Sequence, residues 1–381
     1  MKLAILGSTG SVGETGLAVA RRLGLEVVAL AAGRASSRLA EQARSTRASL
    51  VVTRDAPDED FRRLLPGGCR LVTGGGGLVE AALAADIALV AVSGIHGLEP
   101  TLEALRSGRR VALANKETLV AGGDLVIPLA AGGGLVPVDS EHASFFRLLG
   151  GRSALPDERL YITGSGGALR DWPLDRLASA SPADVLKHPT WRMGPKVTVD
   201  SATLMNKGLE MIEAHHLFAA SYDRIHVLLH DQSVVHAAVE RPDGSWLLEA
   251  APTDMSLPVA RALTWPDLPP AAAGTLDLAR VGDLTFRPVD ETRYPSLPLA
   301  GAVGRMGGIF PAVMNAANEE AVTLFLGGRI AFTEIYRLTA STVEAALGAP
   351  DLERTVSLPS VRAADAFGRE RVRQALEGSR P

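Results

Sequence analysis

The amino-acid sequence opens on an apolar run, residues 2–7, that breaks into Gly7-Ser8-Thr9-Gly10-Ser11-Val12-Gly13 and continues as a helical pattern over 15–23. Strand, glycine turn and helix in that order start an alternation that persists: short apolar runs at 26–31, 49–53, 69–73, 87–92, 110–114 and 135–138, with helical patterns between them. This predicts the α/β class, with an N-terminal Rossmann-like, doubly wound parallel sheet. At such a strand-to-helix junction glycines let the backbone approach a pyrophosphate, and the helix start offers unpaired N–H groups and a positive dipole end. The spacing here is G-x-x-G-x-x-G rather than G-x-G-x-x-G, so a plain tight turn between strand and helix is the alternative.

The second strand ends in Gly33-Arg34-Ala35-Ser36-Ser37, where NAD-binding chains place an acid for the ribose hydroxyls. Arg34 with Ser36 or Ser37 can instead receive a 2′-phosphate, which favours NADP. The competing assignment for Arg34 is a solvated residue at a helix start. The last strand of the alternation runs into Val136-Pro137-Val138-Asp139-Ser140-Glu141-His142. In an extended backbone, side chains two apart point the same way. Asp139 and Glu141 can therefore aim at one point past the strand end, a point suited to a hard cation, or else form a solvated turn. Asn115-Lys116-Glu117 follows the preceding strand and opens on the same crevice, or caps a helix with a charged first turn.

Length and composition set the outer limits. With 381 residues the chain is long enough for two or three domains, and 46% hydrophobic with 22% charged residues is ordinary for a folded chain. A net charge of −4 without a basic block argues against a nucleic-acid surface and favours small molecules as partners. Cys69 is the only cysteine, so neither an intrachain disulfide nor a thiolate zinc site is available. Lys2 leads straight into the first strand and no apolar run reaches about 18 residues, which together predict a cytoplasmic protein off the membrane. Of 39 basic residues only Lys2, Lys116, Lys187, Lys196 and Lys207 are lysines, and four of these fall in the middle of the chain, where compact point charges suit a phosphate.

Beyond residue 150 the pattern changes to a central α+β region. A strand at 160–163 breaks into Gly164-Ser165-Gly166-Gly167, an anion-holding loop or a simple turn. Residues 182–195, with His188-Pro189-Thr190-Trp191-Arg192-Met193-Gly194-Pro195, are expected to form a flexible flap whose indole covers a reacting centre; an ordered loop pinned by a buried Trp191 is the alternative. A run at 197–199 leads into Asp200-Ser201-Ala202-Thr203 as a cap and a helix through 218, on which Asn206, Lys207 and Glu210 share a face. Strands at 225–229, 234–240 and 245–250 are expected to pair antiparallel and to offer an oligomer interface. Residues 252–298 are proline-rich and expected to be irregular, and helices follow at 312–326, 332–347 and 361–377.

LGSTGSVG, LANKE, PVDSEH, TGSGG, HPTWRMG, VDSATLMNKGLE and NAANE, in this order and spacing, resemble the motifs of the 1-deoxy-D-xylulose 5-phosphate reductoisomerase family over almost the whole chain. The resemblance implies an NADPH-dependent oxidoreductase of non-mevalonate isoprenoid biosynthesis that isomerises 1-deoxy-D-xylulose 5-phosphate and reduces it to 2-C-methyl-D-erythritol 4-phosphate. It implies that Asp139, Glu141 and Glu210 ligate Mn²⁺ or Mg²⁺ and, with Lys116 and His188, carry the chemistry. Ser165, Ser201, Asn206 and Lys207 would hold the phosphate end, with Lys116, Ser140, His188, Trp191 and Met193 also against the substrate. NADPH would lie against Thr9, Gly10, Ser11, Val12, Gly33, Arg34, Ala35, Asn115, Glu117 and Gly194. The expected organisation is an NADPH-binding domain over 1–139, a catalytic and dimerisation domain over 140–264, a linker over 265–298 and a C-terminal helical domain over 299–381, in a homodimer. Four positions depart from the family's pattern: Arg34 and Ala35 where Lys-Asn is common, Asp231 in place of Pro, and Thr253 in place of Pro.

Two other function classes compete. A semialdehyde or acyl-phosphate dehydrogenase has a similar opening but needs a cysteine nucleophile, and Cys69 opens a strand of the nucleotide domain. A regulatory protein that binds NADPH without turnover has no use for the carboxylates and the flap.

Overall fold

Seven parallel strands form the first sheet: β1 (Lys2–Leu6), β2 (Glu26–Ala32), β3 (Leu50–Thr53), β4 (Arg70–Thr73), β5 (Ile87–Val90), β6 (Arg110–Leu113) and β7 (Leu135–Pro137). The computed structural model describes residues 1–191, 193–270 and 274–377; Arg192 of the flap motif, residues 271–273 of the linker and 378–381 of the C-terminal region lie outside the described residues. The strand order is β4-β3-β2-β1-β5-β6-β7, so the winding reverses between β1 and β5. Helices cover the sheet, and β1, β2, β3 and β5 are buried runs of Ala, Ile, Leu and Val, as a sheet covered on both faces requires. Residues 1–118, 125–143 and 254–274 make up this first unit.

The stretch expected to be irregular contributes to it. Ser256–Thr264 is a helix that buries Val259, Ala260, Ala262 and Leu263 and packs on the Ser11–Leu23 helix and on β6 and β7. Its proline density misleads because Pro258 sits in the first turn, where the missing N–H costs nothing.

The second unit comprises residues 119–124, 144–253 and 275–381. Its sheet holds β8 (Arg159–Gly164), β9 (Ile225–Leu229), β10 (Val235–Glu240), β11 (Trp246–Ala250) and β12 (Arg287–Pro288) in the order β11-β10-β8-β9-β12. The expected antiparallel trio is corrected here: β9 does not pair with β10, because β8 lies between them, parallel to β9 and antiparallel to β10. A parallel pair needs a crossover, and the helices Pro195–Thr203 and Met205–Phe218 supply it. One face of the sheet, with Leu160, Ile162, Ile225 and Val239, packs on Phe145 and Phe218. A separate core gathers Val199, Phe325, Ile335 and Val372 around the helices Phe310–Leu326, Glu334–Leu347 and Leu358–Glu377. Gly368 allows the last of these to cross closely, since a Cβ there would stand 2.7 Å from the Val313 carbonyl oxygen.

Candidate active site

In the first unit the glycine turn sits at the C-terminal end of β1, beside the switch point where open α/β sheets receive ligands. Gly7 has φ 94°, and a Cβ on it would stand 2.3 Å from the Ala91 carbonyl oxygen. Gly13 is equally constrained, 2.2 Å from the Gly7 carbonyl oxygen. These two glycines therefore serve the tightness of the turn. The Gly7 and Ser8 amides donate to the Ala31 carbonyl (2.8 and 2.9 Å), tying the turn to β2. Thr9 and Val12 are half-buried, Gly10 and Ser11 are exposed, and no side chain caps the helix that starts there. At the end of β2, Gly33 and Arg34 are exposed and Ala35 half-buried. Ser36 is taken up as the cap of the Ser37–Thr46 helix, accepting from the Leu39 amide at 3.2 Å.

At the far side of the same sheet, Asn115 bridges strand ends, its amide donating to the carbonyls of Val92 (2.8 Å) and Gly94 (3.0 Å) and to Glu117 Oε2 (2.9 Å). Lys116 Nζ pairs with Asp139 Oδ2 at 2.5 Å, both nearly buried. Ser140 donates to Glu141 Oε2 at 2.5 Å. The extended geometry expected for Asp139 and Glu141 does not hold. A helix, Ser140–Leu148, begins immediately, and the Asp139 carbonyl accepts from the Ala143 amide at 2.8 Å, which makes Asp139 the residue before the first turn and puts Glu141 within it. Carboxylates there meet the positive end of the helix dipole.

The second unit gathers the remaining polar groups. Ser165 follows β8, Ser201 lies near the end of the Pro195–Thr203 helix, and His188 stands between their hydroxyls, with Nε2 at 3.0 and 3.1 Å. His188 Nδ1 accepts from the amides of Thr190 (3.2 Å) and Trp191 (3.0 Å), so the proton sits on Nε2. Burial, then the Lys207 and Arg170 cations, bring its pKa down to about 4. The cap expected at 200–203 is instead the end of a helix, Pro195–Thr203, and the helix expected after it runs as Met205–Phe218; Leu204, with a left-handed φ of 55°, turns the chain between the two. Beyond that break Asn206 and Lys207 both donate to Glu210: Asn206 Nδ2 to Oε1 at 2.5 Å, Lys207 Nζ to Oε2 at 2.9 Å. All three are buried, Glu210 completely. The Lys207 stem lies along Gly164, where a Cβ would come within 3.1 Å of Lys207 Cε. Trp191 is half-buried, 6.0 Å from the His236 ring; Met193 is half-buried and Gly194 exposed at the start of the next helix.

Sequence reasoning missed Arg170, Asn318 and Tyr294. Arg170 donates to the Ser165 carbonyl at 3.1 Å and pairs with Asp231 at 3.4 Å, which also holds Arg287 at 2.6 Å. Asn318 donates to buried Asp200 (2.8 Å), which Lys196 also pairs (2.7 Å). Asn318 lay in one of the motifs, and Asp231 among the departures; Tyr294 acts on backbone 128 residues away and carries no local signal, whereas Arg170 reaches back only to Ser165. Among the described residues no helix is long and apolar enough to cross a membrane.

A doubly wound sheet with a glycine turn at its switch point, and buried Lys, Asn and Ser side chains around half-buried His188 in the second unit, fit the class to which its relatives assign the chain: an NADP-dependent oxidoreductase. Comparison with known proteins then gives the family. The family model of 1-deoxy-D-xylulose 5-phosphate reductoisomerase matches residues 3–123, that of its C-terminal domain residues 135–218, and that of the DXP reductoisomerase C-terminal domain residues 250–371. The 1-deoxy-D-xylulose 5-phosphate reductoisomerase of a Cyanothece species is 45% identical over 97% of this chain and 98% of its own, and that of Gloeobacter violaceus 46% over 99% and 98%. Among solved structures, the Zymomonas mobilis reductoisomerase in complex with NADPH superposes with a TM-score of 0.88 at 38% identity, covering 99% of both chains. A DOX-P reductoisomerase in complex with NADPH, fosmidomycin and magnesium gives 0.90 at 33%, covering 99% of this chain and 98% of its own. The chain belongs to the 1-deoxy-D-xylulose 5-phosphate reductoisomerase family.

Proposed function

We propose that this chain converts 1-deoxy-D-xylulose 5-phosphate to 2-C-methyl-D-erythritol 4-phosphate with NADPH and a divalent cation, in non-mevalonate isoprenoid precursor synthesis. The observation that carries this reading is the cluster of buried Ser165, Ser201, Asn206 and Lys207 around half-buried His188: neutral donors and one cation suit a phosphate monoester. His188 presents an N–H rather than a second charge. Trp191 and Met193 cover the substrate, and Ser140 lies against it.

Asp139, Glu141 and Glu210 are the proposed metal ligands, and they offer carboxylate oxygens only, a donor set for Mg²⁺ or Mn²⁺ rather than zinc. Such an ion supplies Lewis acidity at the substrate ketone during rearrangement, and NADPH supplies the hydride. The chain's own part is placement. Lys116, held by its pair with Asp139, would serve as the proton donor to the reacting oxygens. The uncapped helix start after Gly10 fits a pyrophosphate, with Thr9, Ser11 and Val12 around it and Gly33, Arg34 and Ala35 at the 2′-phosphate. Asn115, Glu117 and Gly194 complete the cofactor contacts. The lone Cys69 supports a cytoplasmic setting.

The protein is further proposed to act as a homodimer through the outer face of its five-stranded sheet. There Trp246 and Leu248 are exposed, and Tyr161 packs on both Trp246 (4.6 Å between centroids) and His226 (4.9 Å). Sedimentation of Trp246→Glu should give monomer where the parent gives dimer; a monomeric parent sinks this assignment. The catalytic reading is tested by NADPH oxidation with 1-deoxy-D-xylulose 5-phosphate and Mg²⁺. No substrate-dependent oxidation would refute it.

A further inference from the structure

The loop after β8, Ser165-Gly166-Gly167, has neither ladder nor helix of its own. Gly166 and Gly167 take φ of 80° and 72°, and a Cβ on Gly167 would stand 2.5 Å from Ala202 Cα, so the turn is pressed against the helix that carries Ser201. What fixes its carbonyls comes from far along the chain. Tyr294, buried, donates its hydroxyl to the Gly166 carbonyl at 2.9 Å. Its neighbour Arg293 donates to the carbonyls of Leu169 (3.1 Å) and Trp172 (2.7 Å). The segment bearing them is itself held: Gln232 donates to the Asp283 carbonyl (2.9 Å), His230 Nδ1 to the Thr285 carbonyl (2.9 Å), and Arg287 pairs with Asp231.

We propose that Tyr294 is a positioning residue for the phosphate end of the site. By holding the Gly166 carbonyl it fixes the Gly166–Gly167 peptide, and with it the direction of the Ser165 hydroxyl, which must meet both His188 and the substrate. The link is that peptide's own N–H, on Gly167, which donates to Ser165 Oγ at 3.2 Å. Among the described residues the Tyr294 hydroxyl bonds to backbone, the Gly166 carbonyl, and not to a side chain assigned to substrate. Burial raises its hydroxyl to about 12, so it stays a proton donor throughout the working range. This inference rests on the assignment of Ser165 to the phosphate.

Tyr294→Phe removes one hydroxyl and keeps the ring. The KM for 1-deoxy-D-xylulose 5-phosphate should rise roughly five- to tenfold, the weight of one neutral hydrogen bond, while kcat and the KM for NADPH stay within about twofold. Inhibition by inorganic phosphate should weaken by the same factor as the substrate KM rises. A merely structural role would lower the melting temperature and leave that split absent. An unchanged substrate KM, or an equal rise for NADPH, overturns the inference. Should Tyr294→Phe fail to fold, Arg293→Gln, which releases the Leu169 and Trp172 carbonyls, is held to the same split and the same overturning results. A parent protein that consumes no NADPH with this substrate refutes the proposed function instead.

Discussion

At His188 the two ring nitrogens have separate tasks. Nδ1 accepts two backbone amides, and Nε2–H serves the Ser165 and Ser201 hydroxyls. Protonating Nδ1 would turn an acceptor into a donor facing two N–H groups, next to the Lys207 and Arg170 cations. The folded pKa of about 4 lies below the ordinary 6.5, so between these values the unfolded chain binds more protons than the folded one. Stability therefore falls as pH drops through that window and levels off below it. Urea melts from pH 7 to 4.5 should show the parent losing on the order of 1–2 kcal/mol more than His188→Gln, allowing for partial exposure. His216, also brought down to about 4 by burial, His215 and despite Asp124, is present in both proteins and cancels. Parallel curves would show that His188 does not titrate as described. The sequence named His188, Ser165 and Ser201 because each lies in a short motif. Tyr294 was invisible, since a side chain bonded to a carbonyl 128 residues away leaves no pattern in the chain around it, and Arg170 was passed over because its ion-pair partner, Asp231, lies far along the chain.

Single elements were legible in kind and less so in phase. The strand-turn-helix opening stands as read, but Gly7 and Gly13 answer to Ala91 and to the turn itself rather than to a ligand. Asp139 and Glu141 were placed in an extended run because Val136-Pro137-Val138 precedes them. The helix starts one residue after Asp139, where an acid is a favourable helix opener, and period-two reasoning fails at such a junction. Likewise Pro195 opened a helix where β-type residues 197–199 suggested none. At the end of β2 the Ser36 hydroxyl accepts from the Leu39 amide as a helix cap, while Arg34 and Ser37 are exposed. Arg34→Asp should weaken NADPH by about 1.5–3 kcal/mol, the range of a charge-assisted hydrogen bond, and leave NADH nearly unchanged. Titration of both dinucleotides measures it, and equal losses would show that Arg34 does not read the phosphate.

At the scale of the molecule, the alternation of runs sufficed for the seven-stranded sheet, because each βα unit is local. It failed for the second sheet, where β8 enters between β9 and β10 from some 60 residues upstream, a pairing that no local pattern records. The order of the first sheet also bears on the metal. The glycine turn ends β1, whereas Asp139 follows β7, with β5 and β6 between them. Three inter-strand steps amount to about 14 Å. The turn is held by its own bonds to Ala31 and, through Ser8, by Gln42, whose side chain both accepts from the Ser8 hydroxyl (2.8 Å) and donates to the Ser8 carbonyl (2.9 Å). None of these bonds involves a proposed metal ligand. Chelation should therefore abolish turnover and leave NADPH binding within about twofold, since less than 0.5 kcal/mol separates the two states at that ratio. Without the ion, Asp139 keeps Lys116 as its partner and Glu210 keeps Asn206 and Lys207, so the chelated protein should also retain its fold. Mg²⁺ or Mn²⁺ should restore activity, and Zn²⁺ should do so poorly, because carboxylates and water are a hard-ion set. Full turnover after exhaustive chelation would remove the metal from the reaction, and loss of NADPH binding on chelation would mean that the two sites are not independent.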